Sequence, residues 1–463
     1  MRSQKKGILH MENSKRNLFQ KYNIPVPRYT SYPTVPFWDS HSYSTEAWAM
    51  HIANLDSEIL TQQGISLYIH LPFCESLCTF CGCNKRITKN HNVEDSYIES
   101  VLKEWSLYLA KFQYKPLIKE IHLGGGTPTF FSPENLKKLI EGILQNSIVD
   151  PHIQMSLEGH PNHTSARHLQ TLFDLGFRRI SYGVQDYDPV VQKAIHRIQP
   201  FEQVQQVTNM ARTIGFSSIS HDLVFGLPFQ TLESIENSIG KTLELAPDRI
   251  SFYSYAHVPW IKGTGQRGYS EDNLPKSSEK RALYERGKVL LESAGYLEIG
   301  FDHFALPNDD LFQALQRKSL HRNFMGYTTA ASQTLIGLGV SAISDGNGAF
   351  SQNVKVVEDY ENLLSENILP AERGHFLTDE DKIIQKQIME LMCKFETSLE
   401  NHPQLSEVIV RLQPLLKDNL AKLEGNSLKV MADGIPFVRN ICLALDAQYW
   451  EKVPKTQLFS SAV

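Results

Sequence analysis

Long apolar runs are what this 463-residue sequence most plainly lacks. None approaches the ~20 residues that a membrane span requires, so no transmembrane helix is expected. The N-terminal MRSQKKGILHMEN begins basic but has no apolar stretch of the secretory kind, and a cytoplasmic protein is expected. Neither sign of charge is in large excess. The 46 Lys and Arg set against 51 Asp and Glu leave a net −5, which disfavours a broad nucleic-acid or anionic-membrane surface and leaves room for a local basic pocket. Cysteine is scarce, with six in the chain. Two of them, Cys393 and Cys442, stand singly in apolar helical patterns and read as small buried hydrophobes. No second cysteine pair lies at a distance from the main cluster, which removes the usual zinc-ribbon pattern of two separated C-x2-C knuckles.

What is present is ordinary globular composition, 41% hydrophobic and 21% charged, long enough for a large core and more than one domain. Residues 1–48 include IPVPRYTSYPTVPFW, where Pro25, Pro27, Pro33 and Pro36 forbid a regular helix. This reads as an extended arm, too aromatic for a solvated linker. From about residue 65 strand-like runs (SLYIHL, IKEIHLG, IQMSLE, RRISYGVQ, SISHDLVFG, RISFYSYA, YLEIGFDHF) alternate with helical segments such as SPENLKKLIEGILQNS. In that segment Ser132 is placed to cap and Pro133 stands at the first helical position. Such alternation predicts an α/β fold over 49–376, a parallel sheet curling into a partial barrel. After residue 377 the pattern changes to helices with a hairpin around EGNSLKVMADG, a small winged-helix-like domain over 377–463. Such a module would suggest DNA, but the charge balance gives no support and fold does not fix function.

The loops after the strands of such a sheet line its active face, and the polar motifs fall there. The cysteine cluster follows the first strand and GGGTPT the second; Glu158 ends the third and GVQD follows in the fourth. HDLVFGLP and YAHVP close the fifth and sixth. Cys74, Cys78 and Cys81 form C-x3-C-x2-C, with Cys83 two residues on. In a reducing compartment a tight cluster binds metal or does redox work more often than it forms disulfides. Three thiolates on one loop can hold three irons of a cubane and leave the fourth open to a non-protein ligand.

C-x3-C-x2-C after the first strand of an α/β barrel resembles the radical S-adenosylmethionine (SAM) enzymes, and GGGTPT resembles their glycine motif. Across almost the whole chain PRYTSYPT, FCGCNK, SYGVQD, DLVFGLP, YAHVP, LHRNF with GYTT, GLGVSAIS and RNICLALD resemble the oxygen-independent coproporphyrinogen III oxidase family. That resemblance implies a [4Fe–4S] cluster on Cys74, Cys78 and Cys81, with Cys83 outside the ligand set. It implies SAM cleavage to a 5′-deoxyadenosyl radical and conversion of two propionates of coproporphyrinogen III to vinyls, giving protoporphyrinogen IX. It further implies two SAM molecules per chain. Tyr68, Gly125, Glu158 and Ile343 match positions that meet the cluster-bound one. Phe80, Gly126, Thr127, Gln185, Arg197, Asp222 and Ala256 match contacts to the second. A monomer supplied by a separate electron donor, with neither nucleic acid nor a membrane span, is expected.

Departures from the family pattern are Met325 in NFMGYTT where Gln is common, Leu306 in DHFALP where Arg is common, and GHP after Glu158 in place of VDP. A thioether cannot supply the donors of an amide. A competing reading is a haem-binding chaperone related to the family, but such chaperones usually lack both the PRYTSYPT arm and a counterpart of Cys83. A haem-directed radical SAM methyltransferase and a zinc-holding nucleic-acid regulator compete less well. Finally, Arg28 to Thr34 are expected to fold over the open end of the barrel, with Arg28 a partner for a propionate and the arm dispensable for stability.

Overall fold

The computed structural model describes residues 17–39, 41–259, 265–266, 268–330, 332–454 and 458–459. The chain divides into two compact units. The larger comprises Asp39–Ser319 and Thr329–Leu377; the smaller gathers the residues up to Trp38, Leu320–Thr328 and those from Thr378 onwards.

The larger unit is built on one 12-stranded sheet. Its strands are β1 (Ile65–Leu71), β2 (Leu117–Gly125), β3 (Ile148–Gly159), β4 (Arg179–Gln185), β5 (Ser218–Phe225), β6 (Arg249–Ser254), β7 (Leu297–Gly300), β8 (His303–Ala305), β9 (Thr334–Leu338), β10 (Ile343–Gly346), β11 (Ala349–Asn353) and β12 (Ala371–Phe376). The spatial order is β12-β11-β10-β9-β1-β2-β3-β4-β5-β6-β8-β7. From β9 through β6 every neighbouring pair is parallel. Both flanks are antiparallel, so the barrel is partial and open. The run YLEIGFDHF, read as one strand, is instead the antiparallel pair β7 and β8, because the chain reverses at Phe301, whose φ is +59°.

Alternation within the parallel strands explains how the sheet is lined. Ile65, Leu67, Ile69, Ile121, Leu123, Met155, Leu157, Ile180, Ile219, Ile250 and Phe252 are buried in the core that also takes in Leu136, Leu139, Ile140 and Val204 from the covering helices. The intervening positions face the other way by the period-two rule: Tyr68 and His70, Glu120 and His122, Ser156 and Glu158, Ser181 and Gly183, Ser220 and Asp222. A parallel sheet with both faces covered usually reads as continuous apolar runs. Here the inner face is polar. At Ser132 the helix Pro133–Gln145 begins as its sequence predicts, the hydroxyl accepting from the Asn135 amide at 3.2 Å.

In the smaller unit the strands Glu396–Ser398, Ser427–Val430 and Ala421–Glu424 form a three-stranded sheet beside the helices Asp379–Lys394, Leu405–Lys417 and Val438–Leu445. The arm is part of this core. Val26, Tyr29 and Tyr32 are fully buried. The Tyr29 hydroxyl donates to Asp446 at 3.0 Å, Asn440 Nδ2 to the Tyr22 carbonyl at 3.0 Å, and buried Arg439 donates to the carbonyls of Pro27 (2.9 Å) and Val26. An arm dispensable for stability does not agree with this packing, since its side chains are core and its backbone carbonyls satisfy a buried guanidinium.

Candidate active site

The cysteine loop leaves β1 and is pinned at its base by two short strands, Phe73–Cys74 and Arg86–Ile87. The Arg86 amide donates to the Pro72 carbonyl and the Thr88 amide to that of Cys74, both at 2.9 Å. Midway, the Thr79 amide and hydroxyl reach the carbonyls of Ile195 (3.0 Å) and Ala194 (3.1 Å), docking the loop on the helix Pro189–Ala194. All six cysteines are free thiols; Cys74, Cys78 and Cys81 are half-buried and Cys83 is exposed.

Cys74, Cys78, Cys81 and Cys83 border a cavity of about 170 Å³. Of the positions carried over from the family, Phe80, Gly125, Gly126, Thr127, Glu158, Gln185, Arg197 and Asp222 share its wall. Tyr68, Ala256 and Ile343 do not. Tyr68 stands behind Gly124, where a Cβ would lie 3.0 Å from its ring and 3.1 Å from Glu158 Oε1. Ile343 lies with its backbone against Gly337, the β9 residue paired with Tyr68. Ala256 offers its carbonyl to Gln266 Nε2 at 3.1 Å. Of the departures, Met325 sits in the small unit's hairpin turn, its amide donating to Asn323 Oδ1 at 2.9 Å. Leu306 bonds to the Asp248 carbonyl before β6 begins, at the end of the sheet opposite the cavity.

Close backbone approach sets the glycines. The Gly126 amide donates to the Leu71 carbonyl at 2.8 Å, and a side chain there would overlap the Pro72 carbonyl. At Gly183 a Cβ would meet Gln185 Nε2 and Arg197 Nη2. Gln185 itself adopts φ +69°, at the point where the β4–β5 register shifts. Below it Asp186, fully buried, accepts from Gln230 Nε2 (2.6 Å), Ser238 Oγ (2.8 Å) and the Asp188 amide (2.6 Å).

Arg197 Nη2 donates to the Gly183 carbonyl at 2.6 Å and Nη1 to Cys78 Sγ at 3.6 Å. Its buried Nε–H has no protein partner. Glu158 accepts from the Gly125 amide at 3.3 Å and lies 3.6 Å from His122 Nε2. His122 stacks on Tyr68 with centroids 6.0 Å apart. The Tyr68 hydroxyl meets His70 Nδ1 at 3.0 Å while His70 Nε2 contacts the Asn84 carbonyl at 2.9 Å. A carbonyl only accepts, so Nε2 carries the proton and Nδ1 accepts from Tyr68; burial lowers the His70 pKa and keeps the ring neutral. Burial raises the Cys74 thiol to about 11, whereas the Cys83 thiol, donating to Cys81, pulls Cys81 down. Burial also lifts Asp222 to about 7, against a hydrogen bond from Ser251.

Among the described residues no three His, Cys, Asp or Glu side chains converge on a single-ion site. A cubane does not need that, because each thiolate takes its own corner iron. Three free thiols on one cavity wall beside an unpartnered guanidinium N–H fit a thiolate-held cluster with a carboxylate-bearing ligand next to it. Sequence reasoning passed over Ser181, His160, His163 and Glu75, which also line the cavity. Ser181 was recoverable from its period-two spacing to Gly183. His160 and His163 come together in a short helical turn, centroids 4.6 Å apart, which no strand pattern marks.

A model of the radical SAM superfamily matches residues 68–241. The oxygen-independent coproporphyrinogen III oxidase of Helicobacter pylori (strain J99) is 39% identical, covering 93% of this chain and 95% of its own length. That of Escherichia coli K12 is 35% identical, covering 96% and 98%. The solved structure of coproporphyrinogen III oxidase (HemN) from Escherichia coli, a radical SAM enzyme, superposes with a TM-score of 0.85 at 34% identity, covering 91% of this chain and 97% of the other. The chain belongs to the oxygen-independent coproporphyrinogen III oxidases of the radical SAM superfamily.

Proposed function

We propose that this protein oxidatively decarboxylates two propionate side chains of coproporphyrinogen III to vinyls, giving protoporphyrinogen IX without oxygen. The observation that carries the reading is one cavity lined by three thiols of a single loop, the close-approach glycines and Arg197, whose buried Nε–H has no protein partner. The residues fit a [4Fe–4S] cluster on Cys74, Cys78 and Cys81, with Tyr68, Gly125, Glu158 and Ile343 about the SAM that joins it. A second SAM would take Phe80, Gly126, Thr127, Gln185, Arg197, Asp222 and Ala256. When bound, cluster and SAM supply one-electron chemistry able to remove hydrogen from a propionate β-carbon, after which CO2 and one electron leave and the vinyl remains.

The protein's own part is positioning and exclusion of water. Arg197, already anchored on Gly183, presents Nε–H to a carboxylate. Glu158 and Asp222 offer acceptors for ammonium or ribose hydroxyl groups. Tyr68, fixed through neutral His70, holds the His122–Glu158 side of the site. No helix of the described residues is long and apolar enough to cross a membrane. On this reading the protein works as a cytoplasmic monomer served by a separate one-electron donor.

The test is anaerobic turnover of coproporphyrinogen III with SAM and a chemical reductant on the iron-loaded protein. Protoporphyrinogen IX and two CO2 per substrate are expected. SAM cleavage that never yields vinyl product would overturn the reading.

A further inference from the structure

Gln266 is only 2% exposed and every polar atom of its side chain is engaged. Nε2 donates to the carbonyls of Phe80 and Ala256, each at 3.1 Å, and Oε1 accepts from the Val258 amide at 2.6 Å. Phe80 belongs to the cysteine loop after β1; Ala256 and Val258 follow β6. Four strands separate β1 from β6 in the sheet, so no strand ladder joins these two loops. Independent packing brings the Gln266 segment onto the cysteine loop. A Cβ at Gly265 would stand 2.9 Å from Thr79 Cα and 3.3 Å from the Leu77 side chain. On the other side, Lys280 Nζ holds the Tyr255 carbonyl at 2.6 Å, next to Ala256.

We propose that Gln266 is a positioning residue for the second SAM, setting the distance between the Phe80 and Ala256 segments that close on it. The inference rests on the reading above that both segments meet that molecule. The side-chain chemistry is specific: two donors must face carbonyls while one acceptor faces an amide, which a glutamine amide supplies and neither Glu nor Leu can. Without it two part-buried carbonyls lose their donor, and the loops relax apart to find others.

Anaerobically iron-loaded parent, Q266L and Q266E test this by iron content, electron paramagnetic resonance of the reduced cluster with SAM, and calorimetric SAM titration. The parent should bind two SAM. In Q266L iron content and the resonance change on adding SAM should match the parent, while one of the two binding phases weakens about tenfold or more. Should Q266L not fold, Q266E, which keeps an acceptor for Val258, carries the same expectation. Two phases at parental affinity would overturn the assignment, as would loss of iron or equal weakening of both phases. A parent that binds a single SAM would instead overturn the two-SAM reading itself, and the assignment with it.

Discussion

Arg197 divides its guanidinium between structure and site: Nη2 is tied to Gly183, Nη1 leans on Cys78, and Nε–H is left over. Removing the side chain strips a charge-assisted donor from the cavity without touching the cysteine loop's own anchors at Pro72, Cys74 and Ala194. R197A and D222A should therefore keep parental iron content and weaken one SAM about tenfold or more, with turnover falling accordingly; equilibrium dialysis and iron assay check this. The cysteines should separate in the same way. C74S, C78S and C81S are expected to lose the cluster and its visible absorption on anaerobic reconstitution, while C83S, altered outside the ligand set and left with a hydroxyl that can still donate to Cys81, retains them. A C83S protein without iron beside an iron-loaded C81S would reverse the ligand assignment.

At the scale of elements, the helix Val93–Lys111 does more than cover the sheet. Glu104, fully buried, accepts from the Gly339 amide (2.7 Å), Asn353 Nδ2 (2.7 Å) and the Tyr360 hydroxyl (2.6 Å). Tyr97 donates to the His70 carbonyl at 2.8 Å and accepts from the Val340 amide at 2.9 Å. One helix thus pins the ends of β1 and β9, the strands that carry Tyr68 and lead to Ile343. Burial raises the Glu104 carboxyl from 4.5 to about 7. A folded-state value above the unfolded one favours the fold fully below pH 4.5 and loses that contribution as pH rises through 7. Relative to E104Q, which cannot titrate, the parent should lose up to about 3 kcal/mol across that window. Paired urea titrations at several pH values measure it, and a pH-independent difference would show that Glu104 stays charged throughout. In sequence this glutamate looks like a helix-surface residue beside Lys103, because its partners lie 235 to 256 residues away.

At the scale of the whole molecule the arm matters most. Burying Val26, Tyr29 and Tyr32 contributes about 1.5–3 kcal/mol apiece, and Arg439 would be left facing no carbonyl at Pro27 or Val26. Deleting residues 1–34 should therefore unfold the smaller unit or lower its melting temperature by many degrees in calorimetry. R439A should do so in milder form, by about 1–3 kcal/mol for the carbonyls and hydrogen bonds it abandons. Parental melting of the truncated chain would show that the arm's packing adds nothing.

The sequence by itself determined what depends on near neighbours. The period-two runs marked the parallel strands, Ser132 and Pro133 marked a helix start, and the motifs fell on the loops at one end of the sheet because strand and turn chemistry is written within a few residues. Tertiary structure decided what depends on closure of distant segments. Tyr68 stands behind Gly124 and Ile343 lies against Gly337, neither among the residues lining the cavity, and Leu306 falls at the far end of the sheet. The arm is core to the smaller unit, and Gln266 ties together loops that the sheet leaves four strands apart. Each of these turns on partners tens to hundreds of residues away, whose approach is fixed only when the sheet curls and the helices pack, and no local pattern records it.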